Sequence, residues 1–413
     1  MASTRIVVVG AGPAGTHAAL KARERDPDAW ITVIDEEGVP FYVREHLVKL
    51  VVGKASEDEL FELGRDVFES RGISFRAARV AAVSTREHLV VLEGGEEVPY
   101  DRLLVATGAK PLLPNWPGAD LEGVSTLYSL SDAREVARLL PECERVVVVG
   151  GGTIALKLAP ALVGLGLRVT MLEKAGWPVG TVLDEVAGRL FREVLEGGGV
   201  EVRTSVEVVG FEGADGRVKG VRLAGGEVVP ADLVVVSIGV RASTEPLRDS
   251  AHCDVHLERG VVVDASLATN VPDVFAAGDV AQVADPVHGK PTLHPSWSNA
   301  KQQGTAAGIS LTGGSPAYAG TTFVAKMRAF GFGLVVAGLL EPPEDGEVLR
   351  VELPDAGYRR VITRGDAVVG LLVAGRGLPL KKVKKFSRWL LLNPDKWDGR
   401  PEDLLDPSFG FKR

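Results

Sequence analysis

Near the start of the chain, three glycines and a later acid have the spacing that binds a dinucleotide. An apolar run over residues 6–9 comes before the glycines, and an alanine-rich amphipathic segment and a second apolar run follow them. The first glycine permits a tight turn, the second lets a pyrophosphate approach the backbone, and the third lets a helix lie close to a strand. The helix N-terminus would face the phosphates, and the acid would accept hydrogen bonds from a ribose diol. The candidate cofactor-binding residues of this βαβ unit are Gly10, Gly12, Pro13, Ala14, Gly15 and Asp35.

The same arrangement recurs later in the chain. The apolar run 145–149 comes before a second glycine turn, and a further run ends in an acid; the candidate residues here are Gly150, Gly152, Thr153, Ile154 and Glu173. Two such units predict two bound dinucleotides. A carboxylate at this strand end binds both ribose hydroxyls and repels a 2′-phosphate, so Glu173 favours NAD(H) over NADP(H). Lys174 follows directly and could weaken that preference.

Two further motifs place polar groups at the ends of apolar runs. The run 103–105 leads into Ala106, Thr107 and Gly108, which offer a close backbone approach and one hydroxyl. Residues 269–279 end in Gly278 and Asp279. The carboxyl ends of strands are where ligands bind in open α/β sheets, so Asp279 is placed to bind a ribityl hydroxyl chain.

In this order, the four motifs resemble the FAD-dependent pyridine nucleotide-disulfide oxidoreductase superfamily. The chain is most similar to its non-disulfide branch of rubredoxin and ferredoxin reductases, NADH oxidases and the flavin half of nitrite reductase. The resemblance implies an α/β fold with two Rossmann-like dinucleotide-binding domains, as in glutathione reductase, and a C-terminal α+β interface domain. It implies FAD and NAD(H) as cofactors. The expected domains are an FAD domain (1–113 and 243–315), an NAD(P) domain (114–242) and the interface domain (316–413).

The resemblance also assigns roles residue by residue. Arg44 and Lys49 match a family stretch in register, which implies that Lys49 lies against the flavin near N5 and is the catalytic candidate; the alternative is a surface lysine. Val80 matches a position that contacts the adenine, and Trp297 begins a helix that points at the flavin pyrimidine edge. Glu36 and Gly239 complete the predicted cofactor-binding set.

Two of the three departures from the family bear on the chemistry; the third, at residues 239–243, is mild. No cysteine lies in residues 40–49, so disulfide chemistry fits poorly, and Cys143 and Cys253 are interpreted as inert core thiols. Thr153 and Lys157 stand where relatives carry tyrosine and glutamate. Because Lys157 and Lys49 near one buried site would repel each other, an altered nicotinamide pocket is an open alternative.

Composition narrows the classes of partner and location. The net charge of −8 argues against a general nucleic-acid binder. No apolar run is long enough to span a bilayer, and the first strand begins too early for a signal peptide. The two cysteines have no metal-ligand spacing, so no metal site is predicted and a cytoplasmic location is expected. His46 and His294 are interpreted as structural.

Sequence patterns also predict several connecting elements. We expect a helix over residues 57–71, an antiparallel meander over residues 79–100 and, in the C-terminal part, a hairpin turn at residues 364–366. A basic amphipathic segment, residues 381–392, could contact an acidic electron carrier or an anionic membrane, or form a solvated helix face.

These observations predict an FAD enzyme that takes hydride from NADH and passes electrons directly from the flavin to an acceptor. The acceptor would be a small iron–sulfur protein, a quinone or dioxygen. The alternatives are a flavin-carrying subunit of a larger complex, and an NAD-linked dehydrogenase without flavin. A homodimer is compatible with each of them.

Overall fold

The computed structural model describes residues 3–355 and 357–412. The strands are β1 Arg5–Val9, β2 Trp30–Asp35, β3 Ser74–Ala77, β4 Val80–Ser84, β5 Leu89–Leu92, β6 Glu97–Pro99, β7 Arg102–Val105, β8 Ala109–Pro111, β9 Val124–Ser125, β10 Arg145–Val149, β11 Arg168–Leu172, β12 Val200–Arg203, β13 Val208–Ala214, β14 Arg217–Leu223, β15 Val228–Pro230, β16 Leu233–Val236, β17 Val240–Ala242, β18 Val261–Val262, β19 Val274–Ala276, β20 Ala281–Asp285, β21 Lys290–Thr292, β22 Val324–Ala329, β23 Phe332–Gly338, β24 Gly346–Leu353, β25 Gly357–Arg364 and β26 Ala367–Arg376. The helices are α1 Pro13–Arg25, α2 Leu47–Val51, α3 Leu130–Leu139, α4 Thr153–Val163, α5 Glu185–Gly197, α6 Glu245–Arg248, α7 Trp297–Ser310 and α8 Leu380–Leu392.

The chain divides into two compact units, each assembled from separate stretches. Unit 1 comprises residues 1–44, 56–110 and 240–321, and unit 2 comprises residues 45–55, 111–239 and 322–413. Each unit contains a five-stranded parallel sheet, as the two repeated motifs predict. The division into three domains with the boundaries given above stays a prediction.

The parallel sheet of unit 1 has the strand order β19-β7-β1-β2-β3. Its central strand β1 is apolar from Ile6 to Val9 and almost fully buried, which fits a strand covered on both faces. Helix α7 packs closely on α1 because Gly304 and Gly308 carry no side chain at the crossing. A Cβ on Gly304 would lie 2.2 Å from the carbonyl oxygen of Ala14. The predicted meander is confirmed as the antiparallel sheet β4-β5-β6.

The parallel sheet of unit 2 has the order β12-β11-β10-β16-β9, and the antiparallel sheet β13-β14-β15 accompanies it. The C-terminal part forms a five-stranded antiparallel sheet, β22-β23-β26-β25-β24, with α8 packed against β23. The predicted hairpin is confirmed between β25 and β26, where Gly365 has a positive φ of 55°.

The predicted helix over residues 57–71 is wrong. The segment instead contains two single 3-10 turns, Asp58–Leu60 and Glu69–Arg71. Gly64 lies between them with φ +81°, a left-handed conformation that a continuing α-helix does not contain. Leu60 and Phe68 are nevertheless buried, so the apolar pattern marks core contacts rather than a helix.

Candidate functional site

The first glycine turn, in unit 1, is shaped by contacts that exclude side chains at two of its glycines. Gly10 has φ +106°, and a Cβ there would lie 2.2 Å from the carbonyl oxygen of Ala106. A Cβ on Gly15 would lie 1.9 Å from the carbonyl oxygen of Gly10, so no residue with a side chain fits at this position in the first turn of α1. Gly12, in contrast, has no atom within 4 Å of a Cβ position. This open space before the N-terminus of α1 fits a pyrophosphate against the backbone.

Asp35 closes this turn from the end of β2. Its Oδ2 accepts the backbone N–H of Ala11 at 2.8 Å, and its Oδ1 accepts the N–H of Glu37 at 2.9 Å. Burial raises the pKa of Asp35 above its ordinary value, although the Ala11 N–H favours the charged form. The carboxylate therefore stabilises the turn. This role is additional to the ribose contact that the sequence predicts.

The predicted residues beside this turn occupy ordinary exposed or core positions. Glu36 is half-exposed and lies 3.8 Å from Arg79 and 3.7 Å from Lys110. Val80 is buried in β4. Their nucleotide contacts stay predictions.

Sequence reasoning missed Glu37 as an organising residue. It accepts a hydrogen bond from the Tyr42 hydroxyl at 2.8 Å and pairs with Arg44 at 2.8 Å. The sequence signal for Glu37 is an acid two residues after the strand-end acid, followed by a tyrosine and an arginine five and seven residues further on.

Two loops that follow the carboxyl ends of strands in unit 1 are held by hydrogen bonds to other residues of the same unit. The Thr107 hydroxyl donates to the carbonyl of Ser243 at 2.6 Å, and Gly108 accepts the Ser243 N–H at 3.0 Å. Gly278 donates its N–H to the buried amide oxygen of Gln303 at 2.6 Å. Sequence analysis did not single out either Ser243 or Gln303.

Asp279 and Trp297 are the residues of this region whose polar atoms best fit a flavin. Asp279 accepts the N–H of Ser296 at 3.1 Å, and burial raises its pKa to about 6 against the opposing charge of Arg44. The indole N–H of Trp297, the first residue of α7, is buried and has no hydrogen-bond partner among the described residues. A buried donor without an acceptor is costly, so an acceptor atom of a bound group is expected there.

The second glycine turn, in unit 2, repeats the hydrogen bonds of the first, although a Cβ on Gly152 would lie 3.2 Å from the carbonyl oxygen of Ser237. Gly150 has φ +91°, and a Cβ there would lie 2.4 Å from the carbonyl oxygen of Ser237. Glu173 accepts the N–H of Gly151 at 2.7 Å and that of Ala175 at 2.8 Å, as Asp35 does in unit 1. Gly152 caps α4, whose first residues are Thr153 and Ile154, and Gly239 (φ +118°) accepts the Leu112 N–H at 2.9 Å.

Lys49 and Lys157 also belong to unit 2. Lys49 is an exposed residue of α2, and its flavin contact stays a prediction. Lys157, on α4, pairs with Glu45 at 3.0 Å. Burial raises the pKa of Glu45, but Lys157, Lys326 and Lys384 outweigh it and hold that pKa below its ordinary value.

The two cysteines are free thiols. Both Cys143 and Cys253 are half-buried, and burial raises the pKa of each above its ordinary value. A raised thiol pKa disfavours the thiolate, which is the reactive form. In the described part of the chain, no helix combines the length and the apolar character needed to cross a bilayer.

Comparison with known proteins identifies the family. The family model described as pyridine nucleotide-disulphide oxidoreductase matches residues 4–304. Rubredoxin-NAD(+) reductase of Pseudomonas putida is 32% identical over 312 residues, 75% of this chain and 80% of that protein. The ferredoxin–NAD(+) reductase component of the biphenyl dioxygenase system of Paraburkholderia xenovorans is 35% identical over 277 residues, 67% of each chain.

Among solved structures, the covalent putidaredoxin reductase–putidaredoxin complex matches with a TM-score of 0.87 and 25% identity. The match covers 100% of this chain and 98% of that one. With two glycine turns, each closed by an acid, and relatives of this kind, the chain belongs to the pyridine nucleotide-disulphide oxidoreductase family and is an FAD-dependent NAD(P)H oxidoreductase.

Proposed function

We propose that this enzyme takes hydride from NADH and delivers electrons from the flavin directly to a small acidic iron–sulfur protein. The observation that carries the proposal is the duplicated turn, in which Asp35 and Glu173 make the same pair of backbone hydrogen bonds. One copy holds FAD and the other holds the nicotinamide nucleotide. Bound FAD supplies the chemistry, since a flavin accepts two electrons and can release them one at a time.

The residues of unit 1 bind and orient the flavin nucleotide. The N-terminus of α1 and the open backbone at Gly12 hold the pyrophosphate. Asp279 accepts hydrogen bonds from ribityl hydroxyls, and the Trp297 indole donates its unpaired N–H. We also infer that Lys49 stabilises negative charge on the reduced ring.

Glu173 supports NADH over NADPH as the electron donor. Its carboxylate lies at the end of β11, where a 2′-phosphate would meet a negative charge. Lys174, which could have attracted that phosphate, pairs with Glu207 at 2.7 Å instead. The positive charge beside Glu173 is therefore partly neutralised.

The acceptor is inferred from a lysine cluster in unit 2, which we define as Lys157, Lys326 and Lys384. All three lower the pKa of Glu45, so they share one neighbourhood. Burial lowers the pKa of Lys384, and Lys326, Arg388 and Lys157 lower it further against the opposing effect of Glu45. In a chain with net charge −8, such a cluster favours an acidic partner by electrostatic complementarity. The relatives that reduce rubredoxin and ferredoxin support the same acceptor class.

Two further expectations accompany this function. Because both cysteines are free thiols, we infer a cytoplasmic location, where reducing conditions keep thiols reduced. A homodimer, or assembly as a subunit of a larger complex, stays a prediction.

Rapid mixing experiments test the proposal. The oxidised protein is mixed anaerobically with NADH or NADPH, and we expect NADH to bleach the flavin absorbance faster. The reduced protein is then mixed with an acidic ferredoxin, a quinone or dioxygen; we expect the ferredoxin to be fastest and to slow as salt increases.

Matched variants identify the docking charges. Lys326→Gln should slow ferredoxin reduction while leaving reduction by NADH unchanged. Lys219→Gln, an exposed lysine on β14, is the control and should change neither rate. If NADH fails to bleach the flavin, the proposal is wrong and the subunit hypothesis with an altered nicotinamide site replaces it. If bleaching is fast but dioxygen or quinone is the best acceptor, only the acceptor assignment is wrong.

A further inference from the structure

We propose that Asp285, His288 and His294 form a binding site for a divalent transition-metal ion, with zinc as the best fit. The three residues lie in unit 1 on the β20–β21 hairpin. Asp285 ends β20, His288 lies in the turn, and His294 follows β21 by two residues. The sequence analysis predicted no metal site, because it searched for cysteine spacing, and it interpreted His294 as structural.

Both histidines direct a ring nitrogen at the same carboxylate oxygen, in hydrogen bonds that a bound ion would replace. Nδ1 of His288 lies 2.8 Å from Oδ2 of Asp285, and Nε2 of His294 lies 2.5 Å from the same oxygen. All three ligand atoms lie within 4.8 Å of one another. The side chains of Asp285 and His294 are 0% and 4% exposed, whereas that of His288 is 28% exposed. The site is therefore enclosed on the protein side and reachable from solvent beside His288.

Surrounding hydrogen bonds hold the ligands in place. Oδ1 of Asp285 accepts the N–H groups of Val287 at 2.9 Å and His288 at 3.1 Å, which orients Oδ2 toward the imidazoles. The side-chain amide of Asn299 donates to the His294 carbonyl at 3.2 Å, and the Thr321 hydroxyl donates to Asn299 at 3.0 Å. The bonds to Oδ1 fix the orientation of the Asp285 carboxylate, and the Asn299 bond holds the backbone of His294.

The donor set selects the class of ion. Two imidazole nitrogens and one carboxylate oxygen suit zinc and its neighbours, whereas magnesium and calcium prefer oxygen ligands alone. Three protein ligands leave a fourth position for water on the exposed side.

The consequence of ion binding is structural. The ion would connect the β20–β21 hairpin to His294, which lies two residues before Ser296. Ser296 caps α7 by accepting the Asn299 N–H at 3.2 Å, and its own N–H contacts Asp279. The competing interpretation is an Asp–His–His hydrogen-bond network that holds no ion.

Metal analysis of the intact flavoprotein distinguishes the two. After chelator treatment, the protein is dialysed against zinc or magnesium, and bound metal is counted by mass spectrometry. We expect one zinc per chain and no magnesium, with a melting temperature raised by zinc. His288→Gln should weaken zinc binding by at least about tenfold. His256→Gln, an exposed histidine near Glu258, is the control and should bind zinc as the wild type does.

A second measurement uses the wild-type protein alone, so it does not depend on folding of the variant. Zinc should protect His288 from acylation by diethylpyrocarbonate, as mapped by peptide mass spectrometry, and should leave His256 reactive. Failure to bind zinc stoichiometrically, equal binding by His288→Gln, or unprotected His288 would each overturn the proposal.

Discussion

The ammonium group of Lys157 lies 3.0 Å from Oε2 of Glu45, and the two side chains are 39% and 56% exposed. Both residues belong to unit 2, so Lys157 has a carboxylate partner within its own unit. The sequence analysis expected Lys157 and Lys49 to repel each other near one buried site. The structure pairs Lys157 with Glu45, and the altered nicotinamide pocket stays an open alternative.

The first prediction concerns this ion pair. Because both groups are exposed, a double-mutant cycle of Lys157→Gln and Glu45→Gln should give a coupling energy of about 0.2–1 kcal/mol. The rate of flavin reduction by NADH should change by less than about threefold, since a factor of ten would require ~1.4 kcal/mol. Urea unfolding and rapid mixing measure the two quantities. A large acceleration in Lys157→Gln would show that this lysine does obstruct the nicotinamide.

The second prediction concerns Glu173. Glu173→Gln removes the charge that repels a 2′-phosphate and leaves one oxygen to accept a backbone N–H of the turn, so the preference for NADH over NADPH should fall by about tenfold, or ~1.4 kcal/mol. The ratio of kcat/KM for the two nucleotides measures it. Glu144→Gln is the control, since Glu144 is 79% exposed and pairs with Arg168. An unchanged ratio in Glu173→Gln would mean that another residue selects the nucleotide.

The third prediction concerns the pH dependence of flavin binding. Burial raises the pKa of Asp279 to about 6, so below that pH the carboxyl is protonated and accepts ribityl hydrogen bonds less well. FAD affinity should therefore fall as the pH drops through about 6, measured by fluorescence of released flavin.

Asp279→Asn should bind FAD more weakly and lose this pH dependence, while Asp249→Asn, an exposed aspartate, should keep it. In the flavin-free protein, the free energy of unfolding depends on pH in the opposite direction. The unfolded chain ionises this aspartate near pH 3.9, so the free energy of unfolding should decrease as the pH rises from about 4 to 6. A pH-independent FAD affinity in the wild type would contradict the assignment of Asp279.

The fourth prediction concerns the C-terminal tail, which we define as residues 393–412. The guanidinium group of Arg359 is buried and donates to the carbonyls of Leu404, Asp406 and Pro407. Arg359→Leu would leave these acceptors unpaired, and we expect a loss of about 2–4 kcal/mol in unfolding free energy. Limited proteolysis should release the tail in this variant. Arg400→Gln, whose side chain is 81% exposed, should behave as the wild type; equal tail resistance in Arg359→Leu would contradict the prediction.

The sequence predicts the fold well where structure is determined by local pattern. Both glycine turns, their closing acids Asp35 and Glu173, and the parallel strands that carry them follow from residue types at fixed spacing. It predicts poorly where contacts join distant residues. The bonds of Gln303 to Gly278 and of Glu45 to Lys157 depend on packing that no local pattern encodes. A local pattern can also mislead. The predicted helix over residues 57–71 is wrong because an apolar pattern that continues across Gly64 was interpreted as helical periodicity.

The central claim is that the chain binds one FAD and uses NADH to reduce it. Anaerobic titration of the purified flavoprotein with NADH, followed by flavin absorbance, tests it most directly. The account predicts one FAD per chain and complete bleaching by one equivalent of NADH. A protein that takes up no FAD, or a yellow protein that NADH leaves unbleached, would contradict it.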